Sequence, residues 1–229
     1  MGNRAIVKPV GKNIGVYLHW NGGRDSVEAF LTYCKLKGFR SFDDSYGLAR
    51  FCQVVGNYFG GSLSMGIMTD VYMTEDDASG LDNGIYEVKD WEIVGRRGAP
   101  HFEQNEYKLV DMLVEIDKCQ PKNERLGKGY LTAKLVLADE LNIGDFVYID
   151  GMEGEVPKVY EIVGFGAPGQ IVNGRNVEGV PYVEKYGRGD GRFDLNINNY
   201  LQYKNWHGDV VWYRKARKSK KRQMQAGGN

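Results

Sequence analysis

Residues 4–26 read RAIVKPVGKNIGVYLHWNGGRDS, and this stretch sets the fold class. Two β-rich runs, 4–10 and 14–20, flank the Gly-containing turn 11–13, the pattern of a β-hairpin. In the second run Val16, Leu18 and Trp20 alternate with Tyr17 and His19, so its two faces differ. Two glycines then turn the chain. Asp25, with Glu28 three residues on, makes an Asp-type capping box and predicts the start of a helix. Val27, Phe30, Leu31 and Cys34 share one face of that helix, and Gly38 is its stop.

Outward from this start, a second helix is expected over 45–59. Leu48, Phe51, Cys52, Val55 and Phe59 form its apolar stripe, and Gly60-Gly61 end it. A short strand is expected within 62–68. Residues 69–84 are acidic and turn-rich and read as a surface loop. Residues 85–95 alternate as one strand, or as two around Lys89-Asp90. A third helix is predicted over about 104–118, with Leu109, Met112, Leu113 and Ile116 on one face. The polar segment PKNERLGKG, 121–129, reads as a linker. Beyond it short β-rich runs are separated by Gly and Pro, the spacing of a small barrel or curled sheet. Residues 141–149, LNIGDFVYI, resemble the turn-and-strand entry of SH3-like barrels. A helix or strand is expected around 194–204, then a strand over 209–213. The expected class is therefore α+β: a domain over 1–120 built on the hairpin, with two or three helices and further strands; the linker; a β-rich, small-barrel-like domain over 130–213; and a basic tail over 214–229.

Composition narrows the function classes. Of 229 residues, 42% are hydrophobic and 26% charged, so enough apolar surface exists to offset chain entropy, which excludes wholesale disorder. No apolar run approaches the roughly 20 residues of a membrane span, and no secretory signal is expected from the first residues. Lys plus Arg and Asp plus Glu are both 30. Seven basic side chains fall within 214–222, RKARKSKKR, leaving 23 basic against 30 acidic in the rest of the chain. Net neutrality argues against a global nucleic-acid binder and against an acidic DNA mimic, whereas a local basic run can hold phosphates by counterion release. Cys34, Cys52 and Cys119 show no CxxC spacing, so a reduced, cytoplasmic compartment is expected. No zinc signature, catalytic set or cofactor motif is present, so no metal, catalytic residue or cofactor is assigned. Gly164, Gly166 and Gly169 match G-x-G-x-x-G without a helix to follow and read as a hairpin loop.

Two stretches are candidate sites. The first is His19, Trp20, Asn21, Gly22, Gly23, Arg24, Asp25 and Ser26. A helix N-terminus with two glycines and an arginine can hold an anion. The same residues also suit a tight β-to-α turn with Trp20 in the core. In a third reading His19, Trp20, Asn21 and Arg24 present an aromatic and polar patch to a partner. The second stretch is Trp206, His207 and Trp212 with Arg214, Lys215, Arg217, Lys218, Lys220, Lys221 and Arg222. Here aromatics beside cations suit stacked bases and phosphates, or else the tryptophans anchor the last strand. The acidic residues Glu75, Asp76, Asp77 and Asp82 fail the calcium-loop pattern and read as solvated.

Residues 21–26, NGGRDS, resemble the SGGxDS loop of the PP-loop ATP pyrophosphatases, which cradles pyrophosphate. Asn21 stands where that family has Ser, and a hairpin precedes the loop where the family needs strand–helix–strand. More widely, residues 3–95 resemble a family of uncharacterised proteins in phages and integrated elements of Gram-positive bacteria. The resemblance is carried by HWNGGRDS (19–26) and by Tyr46 to Gly61. It implies genomic context: accessory genes of such elements often inhibit host defence, anti-CRISPR proteins among them. The expected function is a non-enzymatic binding protein acting in the host cytoplasm on a defence protein or nucleoprotein complex, with the tail engaging nucleic acid. A nucleotide- or phosphate-binding enzyme or sensor at Gly22–Ser26, and a structural virion component, are the alternatives.

Overall fold

The computed structural model describes residues 3–61, 64–69, 73–98, 106–137, 140–142, 144–149, 153–165, 170–172, 175–177, 181–185, 193–194 and 212–216. The chain divides into two compact units, one of residues 1–131 with 152–156, the other of 132–151 with 157–229.

The first unit opens with the expected hairpin. β1 (Ala5–Pro9) pairs antiparallel with β2 (Ile14–Leu18), Ala5 opposite Leu18 and Val7 opposite Val16. Gly11 supplies the left-handed turn residue at φ 70°. α1 (Arg24–Leu36) and α2 (Ser45–Phe59) follow, then β3 (Met65–Thr69), the short helix α3 (Glu75–Ser79), β4 (Ile85–Lys89), β5 (Glu92–Arg97), α4 (Leu109–Cys119) and α5 (Lys128–Leu131). The five strands form one sheet in the order β3-β2-β1-β4-β5. β4 lies parallel to β1, with Ile6 opposite Ile85, and every other pairing is antiparallel.

Alternation along the strands separates two buried faces. Ile6 and Ile85 pack with Met73 and Ala78 on one side. Ala5, Val7, Val16, Leu18 and Val88 lie on the other and are fully buried. The helices contribute Val27, Phe30, Leu31, Phe51, Val55, Met112 and Ile116 to the core. Phe30 stacks edge-on against Phe51, Tyr58 and Phe59, which fixes α1 against α2. Asp44 caps α2 by accepting from Tyr46 N, and Gly60 ends it at φ 65°.

One alternative that the sequence left open is decided, and three local expectations change. Residues 85–97 form two strands, because Asp90 (φ 49°) and Trp91 (φ 67°) make a tight left-handed hairpin turn. Trp91 takes this costly conformation with its ring buried against Phe42 and its indole N–H donated to Phe39 O at 3.2 Å. Within the acidic loop, Thr74 and Asp77 form a reciprocal capping box that starts α3. α1 begins at Arg24 with Gly23 as its N-cap, so Asp25 is the second helical residue and does not cap. Finally, 121–129 packs into the first unit. The buried Asp117 carboxylate accepts from Leu126 N (2.7 Å), Gly127 N (2.9 Å) and the Tyr33 hydroxyl (2.8 Å), and the boundary falls after Leu131.

The second unit is β-rich, and the chain as a whole is α+β. β6 (Lys134–Leu137), β7 (Phe146–Ile149), β8 (Lys158–Phe165), β11 (Pro181–Lys185), β12 (Phe193–Asp194) and β13 (Trp212–Ala216) form a six-stranded sheet in the order β12-β11-β8-β7-β13-β6. β9 (Gln170–Val172) and β10 (Arg175–Val177) form a separate hairpin; a strand and not a helix begins at Gln170, after the G-x-G-x-x-G stretch, whose residues 166–169 lie outside the described residues. Within 141–149 a turn leads into β7; residue 143 lies outside the described residues. Gly144 sits at φ 86°, Asp145 N donates to Asn142 O, and the buried Leu141 precedes β7.

Candidate functional site: the His19–Ser26 corner

The eight residues from His19 to Ser26 join β2 to α1. His19 extends the ladder on both sides: its N–H donates to Ser64 O at 2.9 Å and its carbonyl accepts from Asn3 N at 3.2 Å. Asn21 then takes φ 51° and turns the chain out of the sheet. β2 has already ended at Leu18, and Trp20 beyond it is not buried as Val16 and Leu18 are. Its side chain stands 45% exposed.

Trp20 is held in place, though solvent-facing. The His19 ring meets it edge to face, with centroids 4.7 Å apart at 83°. His19 Nδ1 is in turn hydrogen-bonded to Tyr17 Oη at 2.8 Å. Burial pushes the Tyr17 phenol up from its ordinary pKa, which keeps this hydroxyl protonated through the physiological range. The result is a three-ring ladder from the sheet to the surface, ending in an exposed indole.

The two glycines answer to packing. A Cβ on Gly22 would lie 2.6 Å from Asn3 O and 2.7 Å from Ala5 N, because the chain crosses directly over the start of β1, where Gly22 N also donates to Asn3 O at 2.8 Å. Gly23 is buried and caps α1 through its carbonyl, which accepts from Val27 N. Arg24 turns along the helix to Glu28, Nε to Oε1 2.7 Å. The Asp25 carboxylate sits in the first turn, accepting from Ser26 N at 2.7 Å and, across the chain, from Glu106 N (2.8 Å) and Tyr107 N (3.0 Å). Ser26 is buried, with Asn21 Nδ2 at 3.5 Å from its hydroxyl.

The corner thus places an acid, and not a bare row of N–H donors, at the start of α1. An approaching phosphate would meet the Asp25 carboxylate and an arginine already paired. What the corner presents to solvent is an indole in edge contact with His19, with polar neighbours.

The second candidate stretch is divided. Arg214, Lys215 and Ala216 belong to β13, between β7 and β6, so the strand runs three residues into the basic run. Lys215 pairs with Asp145 at 2.8 Å, and Trp212 stands opposite Leu137 in register. Trp206 and His207, and Arg217, Lys218, Lys220, Lys221 and Arg222, lie outside the described residues.

The structure adds a surface groove in the first unit of about 570 Å³, lined among others by Lys37, Arg40, Tyr46, Arg50 and Glu153. Lys37 is buried and donates to the carbonyls of Glu124 and Gly154, both at 2.7 Å; burial lowers its pKa. Arg40 lies over the Tyr46 ring at 5.0 Å and pairs with Glu153. Sequence reasoning missed this groove because Glu153 is more than a hundred residues away from Arg40. The exposed i, i+4 pair Tyr46 and Arg50 was its one visible trace.

Among the described residues no three His, Cys, Asp or Glu side chains converge as metal ligands. Cys34, Cys52 and Cys119 are free thiols, and burial pushes Cys34 well above the ordinary value. No described helix is long and apolar enough to cross a membrane. No protein-family model, curated protein or solved structure matches the chain.

Proposed function

We propose that this chain is a non-enzymatic binding protein of a phage or mobile element that inhibits a host defence or nucleic-acid machine, a CRISPR effector nuclease being one candidate target. The observation that carries the binding part is the exposed Trp20, fixed edge-on by His19 and through it by Tyr17. A large aromatic held in one orientation loses little entropy when a partner covers it, and buried tryptophans dominate interface energies. The choice of target rests on the resemblance of residues 3–95 to phage and integrated-element proteins. Inhibition would be steric: the folded body blocks a working surface of the partner. The geometry at Asp25 favours this reading over a phosphate site.

The test is affinity capture by tagged protein from the bacterial host, with and without nuclease treatment. A defence nuclease or its guide complex recovered in both conditions is the expected result. Recovery lost on nuclease treatment would make nucleic acid the primary ligand, and recovery of no such machine would overturn the proposal.

A further inference from the structure

We propose that β3 is the dimerisation edge of the first unit, pairing antiparallel with β3 of a second copy of this chain. The two edges of the five-stranded sheet differ. β5, at one edge, carries Glu92, Arg96 and Arg97, and its pairing with β4 is broken by a register shift at Glu87/Val88. Charges and bulges are how proteins prevent strand edges from pairing with other chains. β3, at the other edge, is Met65-Gly66-Ile67-Met68-Thr69, with no charge and no proline, in unbroken five-residue register with β2. Among the described residues it has β2 as its single strand neighbour.

The side chains point the same way. Ile67 stands opposite Val16 in register, and residues opposite one another share a face of the sheet. Val16 is fully buried, whereas Ile67 is 53% exposed, so the apolar face continues past its cover at this strand. A two-fold axis at Ile67 would place Ile67 against its own copy, Met65 opposite Thr69, and Met68 opposite Gly66, which leaves room for the longer side chain. No like charges meet. The sequence of β3 is thus complementary to itself in the antiparallel sense that a closed two-fold dimer requires.

Sedimentation of the full chain across micromolar concentrations tests this. The wild type is expected to move from a 25.8 kDa species to one of twice that mass. Ile67→Lys would oppose two ammonium groups and raise the dissociation constant at least about tenfold. Val94→Lys, at the exposed residue of the other edge, would leave the dimer unchanged. Circular dichroism of each variant confirms folding. Ile67→Cys in a Cys119→Ser background is expected to cross-link on oxidation. A wild type of single mass throughout would overturn the proposal and leave this edge to an extended segment of another protein. A dimer that is indifferent to Ile67→Lys, and that forms no cross-link in the Ile67→Cys variant, would overturn it too.

Discussion

Tyr33 donates its hydroxyl to the Asp117 carboxylate at 2.8 Å, joining α1 to α4 inside the core of the first unit. Both residues are buried, and the same carboxylate accepts the N–H groups of Leu126 and Gly127. Burial, then the bond to Asp117, drives the Tyr33 phenol far above its ordinary pKa, so the hydroxyl remains a donor. One side chain therefore holds two helices and the polar segment after them.

Asp117→Ala would remove the acceptor of two buried donors, the Tyr33 hydroxyl and Leu126 N, and of the half-buried Gly127 N, at about 1–3 kcal/mol each. The expected loss of stability is at least about 3 kcal/mol, read by urea unfolding. Tyr33→Phe removes one donor and is expected to cost about 1–2 kcal/mol. Equal stabilities for wild type and Asp117→Ala would contradict the network.

Gly22→Ala is expected to destabilise by about 2 kcal/mol or more, because the new methyl would overlap backbone atoms of Asn3 and Ala5. Gly60→Ala is the comparison. Its surroundings are open, and only its left-handed φ of 65° opposes a side chain, at about 1 kcal/mol. Thermal unfolding of the two variants should rank them in that order. The reverse ranking would show that the Gly22 corner is slack.

In the second unit, Lys215 and Asp145 give a pH dependence of known sign. Burial works against the charged Asp145 carboxylate, yet hydrogen bonds from Lys215 and Asn142 outweigh it and hold the pKa below the ordinary value. A depressed folded-state pKa stabilises above the unfolded value of about 3.9, and that contribution is lost as pH falls through the folded value. The pair is partly exposed, so about 0.5–1 kcal/mol is expected. Asp145→Asn should be less stable than wild type at pH 6, and the gap should close as pH falls from the unfolded value of about 3.9 through the lower folded one. A gap that persists in acid would rule out the ion pair as its cause.

The position of β13 separates two truncations. Ending the chain after Tyr213 removes Arg214, Lys215 and Ala216 from a strand paired on both sides, and should lower the melting temperature. Ending it after Ala216 keeps β13 whole while removing five basic residues of the 214–222 run. Loss of retention on a DNA or RNA column in the second truncation would assign nucleic-acid binding to residues beyond 216. Unchanged retention would exclude them.

Local patterns were the legible part of this fold. The hairpin, the spans of α1 and α2, and the α+β class follow from strand alternation, helical stripes and glycine stops. What escaped was set by residues distant in sequence. The parallel pairing of β1 with β4 spans some eighty residues. The segment 121–129 looked like a linker because its composition is polar, but Asp117 satisfies its backbone. Asp25 has the chemistry of a cap, yet Gly23 took that place and freed the carboxylate for Glu106 and Tyr107. At the candidate site the residue types were visible. The exposure of Trp20 was one of the readings the sequence left open, beside the core position that alternation suggests, and residue types alone did not choose between them.

The most direct test of the account compares wild type with Trp20→Ser for binding to the captured host partner, measured by biolayer interferometry with circular dichroism as the folding control. Trp20 is exposed, so the variant is expected to keep its melting temperature within about 2 °C. Its affinity should fall about thirtyfold or more, the loss of at least about 2 kcal/mol expected of a central tryptophan. A folded variant that binds as tightly as wild type would contradict the claim that this corner is the recognition surface.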